Sequence, residues 1–123
     1  MEVVAVLGAS NDSSRYAYKA MKMLEEYGHT PVPVHPREEN VLGKKVYKTI
    51  GELADSGQKV DTVTMYVGHA ISDKYVQDFL KLKPKRVIFN PGAENYNLAK
   101  TLEENGIEVE NACTLVMLRT DQF

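Results

Sequence analysis

A single cysteine, Cys113, and no tryptophan stand in a chain of 123 residues. One thiol cannot close an internal disulfide, so the fold must rest on burial and hydrogen bonds, as suits a reducing compartment. No apolar run reaches the roughly 18 to 20 residues that a membrane-spanning helix needs. The opening "MEVVAVLGA" carries an acidic second residue and too short an apolar stretch for a secretory signal, so the expected location is the cytoplasm. Charge of one sign is also missing: 15 Lys and Arg against 17 Asp and Glu leave a net charge of -2. Nothing global therefore recruits nucleic acid or an anionic membrane, and any bound anion must be captured locally. Internal repeats, linkers and low-complexity tracts are absent as well.

With 43% apolar and 26% charged residues, the chain has the composition of one ordered domain spanning 1–123, long enough to bury a continuous core. Short branched runs bounded by Gly, Pro or Asn predict strands covered on both faces at residues 3–7, 61–67 and 86–90. Residues 31–35, "PVPVH", predict a further strand, in tension with Pro33, which lacks the amide an interior ladder uses. Residues 45–47, "KVY", read as a short edge strand through which a homodimer could form, and 107–111, "IEVEN", as the last strand.

Helical spacing links Ala17, Ala20, Met21, Leu24 and Tyr27, and Gly28 then supplies a stop. Further helices are expected over "TIGELADSG", capped by Thr49, over "SDKYVQDFLKLK", starting at Ser72 and ending before Pro84, and over "AKTLEE" before Asn105-Gly106. The tail "ACTLVMLRTDQF" has no assignable pattern. This alternation predicts an α/β fold: a doubly wound, parallel, Rossmann-like sheet in three layers, a single domain with strand order 3-2-1-4-5-6.

In such a sheet the ligand crevice opens where the order reverses, between the carboxyl ends of the first and fourth strands. "GASNDSSR" and "YVGHA" occupy those ends, with "VHP" beside them. Gly8 lets a backbone or ligand pass close, the next helix aims its free amides at the same space, and Arg15 adds a fork of donors suited to phosphate oxygens. A phosphate-bearing ligand follows. The dinucleotide motif G-x-G-x-x-G retains its first glycine alone, and the second strand ends in His35-Pro36 instead of the acidic residue that holds an NAD ribose. NADP stays open because Arg37 could meet a 2′-phosphate; the Walker loop is absent.

"VAVLGAS" with Arg15-Tyr16, then "VPVHP", "LGKKVY", the turn after "TMYV" and the ending "NPGAENYNLAKTLEENGIEVENAC" together resemble the CoA-binding domain family of small stand-alone proteins. They are also similar to the N-terminal domain of the succinyl-CoA synthetase α subunit. Two positions depart from the family pattern, which commonly has Asn where His35 stands and often Pro where Gly68 stands. The resemblance implies a bound coenzyme A or acyl-CoA. Gly8, Ala9 and Ser10 would line its phosphates, Arg15 would pair with their charge, and Lys44 would reach a phosphate. His35 and Pro36 would lie near the adenosine, and Tyr66, Val67 and Gly68 would flank the ligand.

No catalytic residue is expected. Cys113 has no His or Asp patterned beside it, and His29, His35 and His69 lie on separate elements without metal-ligand spacing. His69 is expected to contact ligand, act as a base or cap the next helix, the last being the commonest fate. The synthetases use a phosphorylated histidine in a second domain that this chain has no room for. The leading expectation is a non-catalytic CoA-binding module. The alternatives are a small NADP- or other nucleotide-dependent enzyme and a regulatory partner subunit with a vestigial nucleotide site.

Overall fold

The computed structural model describes residues 1–123. Five parallel strands, β1 (Val3–Leu7), β2 (Thr30–Val34), β5 (Thr62–Met65), β6 (Arg86–Phe89) and β7 (Glu108–Asn111), form one sheet in the order β2-β1-β5-β6-β7. A separate antiparallel hairpin joins β3 (Asn40–Val41) to β4 (Lys44–Lys45). The helices are α1 (Tyr16–Glu26), α2 (Ile50–Asp55), α3 (His69–Ser72), α4 (Val76–Leu82), α5 (Tyr96–Glu104) and α6 (Thr114–Arg119). None of them is long and apolar enough to cross a membrane.

Alternation along β1 explains the three layers. Ala5 and Leu7 join Ile50, Leu53, Phe79, Leu98 and Leu102 in a cluster under α2, α4 and α5. Val4 and Val6 point the other way, to Ala17, Met21 and Leu24 of α1 and Leu118 of α6. A strand buried on both faces has no polar side to advertise, which is why its sequence reads as an unbroken apolar run.

The third strand of the expected order is reduced to one residue. Tyr47 makes a single parallel bridge to Val34, while Lys45, expected to begin that strand, is drawn with Lys44 into the hairpin. The tight turn responsible is Leu42-Gly43, whose φ values of 51° and 78° suit the twist of a two-residue hairpin. Thr49 then starts α2 at once, its hydroxyl accepting from the Glu52 amide at 3.0 Å, so no length remains for a strand.

Pro33 fits because its ring faces the outer edge of β2. The Thr30 amide donates inward to the Glu2 carbonyl, so positions 30, 32 and 34 address β1, and 31 and 33 face outward where the missing donors go unused. The helix expected from Ser72 is corrected. Helical turns begin at His69 after Gly68, pass through a 3₁₀ turn at Asp73–Tyr75 and resume at Val76. Ser72 is fully buried, and its hydroxyl accepts from Asn95 Nδ2 at 2.8 Å, so it braces α3 against the turn before α5 instead of capping a helix. The tail forms α6, which packs Leu118 against the α1 face.

Candidate functional site

The crevice is organised around Gly8. Its φ of +92° is a conformation that side-chain-bearing residues adopt only under strain. A Cβ there would also sit 3.0 Å from Val67 Cγ1 and 3.1 Å from the Tyr66 carbonyl oxygen. The Gly8 and Ala9 amides both donate to the Val34 carbonyl, at 3.0 and 3.3 Å. The ends of β1, β2 and β5 therefore meet at one residue, the position where the strand order reverses.

Beyond Gly8 the turn holds itself in shape. Ser10 Oγ accepts from the Asp12 amide, and the Asp12 carboxylate accepts from the Ser14 amide at 3.0 Å and from its hydroxyl at 2.6 Å. Those Ser14 bonds hold the Asp12 carboxyl below its ordinary pKa. Asn11 fastens the turn to the hairpin: its Nδ2 donates to Glu38 and to the Asn40 carbonyl, and its Oδ1 accepts from the Leu42 amide. Arg15, in extended conformation, is the residue just before α1. Its side chain is 70% exposed and meets Asp12 at 3.7 Å, a loose pair that leaves the guanidinium fork available.

Most of the residues expected from the sequence come together. Gly8, Ala9, Ser10, Arg15, His35, Pro36, Tyr66 and Val67 line a cavity of about 410 Å³. Gly8, Arg15, Tyr66 and Val67 are shared with a second cavity of about 300 Å³, which Gly68 also lines. Ala9 is fully buried, with its methyl in the α1-side core, so its backbone is the part that matters here. Lys44 stands elsewhere: its ammonium meets Glu25 of α1 at 2.8 Å. Lys48 and Arg37 line the cavity instead. Sequence reasoning passed over Lys48 because the diversion of the hairpin was not visible in it. Pro91 and Gly92, in the turn after β6, also line the second cavity, and the "NPG" punctuation was their available signal. His69 is exposed as the first residue of α3; Gly68, not His69, occupies the capping position.

Two histidines are built in as neutral acceptors. His35 Nδ1 accepts from the amides of Arg37 and Glu38, both at 3.1 Å, which shapes the rim of the cavity. His29 Nδ1 accepts from the Glu2 amide at 3.0 Å, at the opposite end of the sheet. Burial pulls both pKa values below the ordinary histidine value; Arg37 adds to the effect at His35 and Glu38 opposes it. At His29 the Glu2 carboxylate opposes it, while the N-terminal amine and Arg86 reinforce it. A lowered folded-state pKa contributes stability above the unfolded value that is lost as pH falls through the folded one. The melting temperature is thus expected to drop from pH 7.5 to about 5, a window above the carboxylates. A variant carrying His29→Gln and His35→Gln should show a flatter profile, and an unchanged slope would refute the assignment.

A parallel doubly wound sheet with a glycine turn and an open crevice at its switch point defines a Rossmann-like ligand-binding architecture. The model of the CoA-binding domain matches residues 2–119, and the chain belongs to that family. Among curated relatives, the α subunit of ADP-forming acetate–CoA ligase II from Pyrococcus furiosus is 47% identical over 51 residues, 41% of this chain and 11% of that one. An ADP-forming acetate–CoA ligase from Methanocaldococcus jannaschii is 27% identical over 105 residues, 82% of this chain and 14% of that one. The chain thus spans a small fraction of the curated relatives it matches. A crystal structure of an uncharacterised protein superposes with a TM-score of 0.89 at 41% identity, covering 100% of this chain and 98% of that one.

Proposed function

We propose that the protein binds coenzyme A or an acyl-CoA at the switch-point crevice, as a non-catalytic module. The observation that carries this reading is the coincidence of Gly8 and the loosely paired Arg15 on the wall common to two adjoining cavities, one of which the first turn of α1 also lines. In this arrangement the Gly8–Ser10 backbone and Arg15 receive the phosphates. His35, Pro36 and Arg37 border the adenosine end, Lys48 takes the role first given to Lys44, and Tyr66, Val67 and Gly68 flank the ligand. Family membership supports the ligand class, and the absent second and third glycines of the dinucleotide motif weigh against NADP.

The decisive measurement is native mass spectrometry with CoA, dephospho-CoA, NAD and NADP in competition. CoA is expected to win. Arg15→Ala should weaken it by roughly 10- to 150-fold, since a hydrogen bond to a charged group contributes about 1.5 to 3 kcal/mol. Binding of NADP alone would overturn the reading in favour of a small nucleotide-dependent enzyme. A second reading follows from the lengths of the curated relatives, of which this chain matches 11% and 14%. In it, the chain supplies the CoA-binding part of an assembly with other chains. It predicts co-purification with a partner and no CoA affinity for the isolated protein.

A further inference from the structure

A third recess, of about 220 Å³, continues the crevice beyond the second cavity, with which it shares Tyr16, Tyr66 and Pro91. Asn90, Cys113 and Leu115 complete its wall. The polarity of the groove changes along its length. The end at His35 carries Arg37, Glu38 and Lys48; the middle carries Gly8 and Arg15; the far recess has no charged residue.

Its few polar atoms are also occupied or turned away. Asn90 Nδ2 donates to Thr64 Oγ1 at 2.7 Å and to the Met65 carbonyl at 2.9 Å, and its Oδ1 accepts from the Thr114 amide at 2.8 Å. The Tyr66 hydroxyl is buried on the side of Thr64 and Thr114, and burial pushes its pKa up to about 12. Its ring, not its oxygen, is what the recess offers. The Cys113 thiol and the exposed Tyr16 hydroxyl are the polar groups that remain, so a charged occupant finds no counter-charge, whereas methylenes lose nothing by entering.

Resting on the CoA reading of the crevice, we infer that this recess is an acyl-specificity pocket, taking the thioester end of a short-chain acyl-CoA and bounding its length. A molecule whose polar head lies near His35 and whose phosphates lie at Gly8 and Arg15 has one direction left for its tail. At about 30 Å³ for each water-sized group, 220 Å³ holds about seven. The thioester sulfur, the methylene before it and the carbonyl use about four of them, leaving room for about three further carbons, the remainder of a butyryl chain.

Isothermal titration of the whole chain with CoA, acetyl-CoA, butyryl-CoA and octanoyl-CoA tests this. Each methylene fully buried is worth about fourfold in affinity, so butyryl-CoA is expected to bind at least about tenfold tighter than CoA. Octanoyl-CoA should gain little more. Cys113→Phe, which fills the recess from its half-buried wall, should erase the butyryl gain, bringing the ratio of butyryl-CoA to CoA affinity down to about one. Tyr16→Ala, at a position 67% exposed and so without cost to the core, should reduce the same gain.

Equal affinity for CoA and butyryl-CoA in the native chain would overturn the pocket and leave the CoA reading standing. A gain that continues through octanoyl-CoA would overturn the length limit and point to an open apolar surface. Failure of every ligand to bind would remove the CoA reading, and the pocket with it.

Discussion

Gly8→Ala is expected to lower the melting temperature by roughly 5 to 15 °C and to abolish ligand binding at the crevice. A side chain at positive φ costs on the order of 1 to 3 kcal/mol, which for a domain of this size corresponds to several degrees per kcal/mol. The Cβ contacts at 3.0 Å to the Val67 side chain and 3.1 Å to the Tyr66 carbonyl add crowding, the second of them against backbone that cannot rotate away. Relief would come from parting β1 from β5, which shifts the Gly8 and Ala9 amides off the Val34 carbonyl. Gly68→Ala is the matched control. Gly68 has φ of -74°, and nothing lies within 4 Å of where its Cβ would stand. Its loss should stay within about 1 kcal/mol. Thermal denaturation of the pair checks the argument, and equal melting temperatures would sink it.

Asn90→Ala should be more damaging still, at about 2 to 5 kcal/mol in urea denaturation. Asn90 is 2% exposed, and its amide ties three elements together: Thr64 and Met65 of β5, its own position after β6, and the first amide of α6. Truncation leaves the Thr114 N–H and the Met65 carbonyl without that partner inside the protein, at about 1 to 3 kcal/mol for each orphaned group. The hydroxyl pair of Thr64 and Thr114, 2.7 Å apart, would lose its shared neighbour as well. Since whole domains are stable by about 5 to 15 kcal/mol, this single change takes a large share. A loss below about 1 kcal/mol would mean that the network relaxes around the gap. Freed from Asn90, α6 should also protect its amides less against hydrogen exchange than α5 does.

The sheet was readable wherever burial on two faces forced an apolar run, as in β1, β5 and β6, and the helices wherever a cap opened one, as at Thr49, or a glycine closed one, as at Gly28 and Gly106. The sequence misled where long-range contacts decided. Ser72 has every local property of a helix cap, yet Asn95, 23 residues away, claims its hydroxyl. Lys45 looked like the start of a strand, but Leu42, at a positive φ uncommon for leucine, turns the chain back on Asn40. The same hairpin carried Lys44 to Glu25 and left Lys48 at the crevice. The glycine turn and Arg15 could be read because their chemistry is local. The recess at Cys113 could not, since its walls come from α1, the residue after β5, the turn after β6 and the start of α6.

The placement of Pro31 and Pro33 has a consequence for assembly. Along the outer edge of β2 the outward positions are Pro31, Pro33 and His35. The His35 amide already donates to the Tyr47 carbonyl, and the Pro33 carbonyl already accepts from Tyr47. That margin therefore has no amide left to template another chain, whether a second copy or a misfolded neighbour. At the other margin, β7, no proline intervenes, and Glu108 sets the charge an incoming strand must answer, Glu110 being held by Arg86 at 3.0 Å.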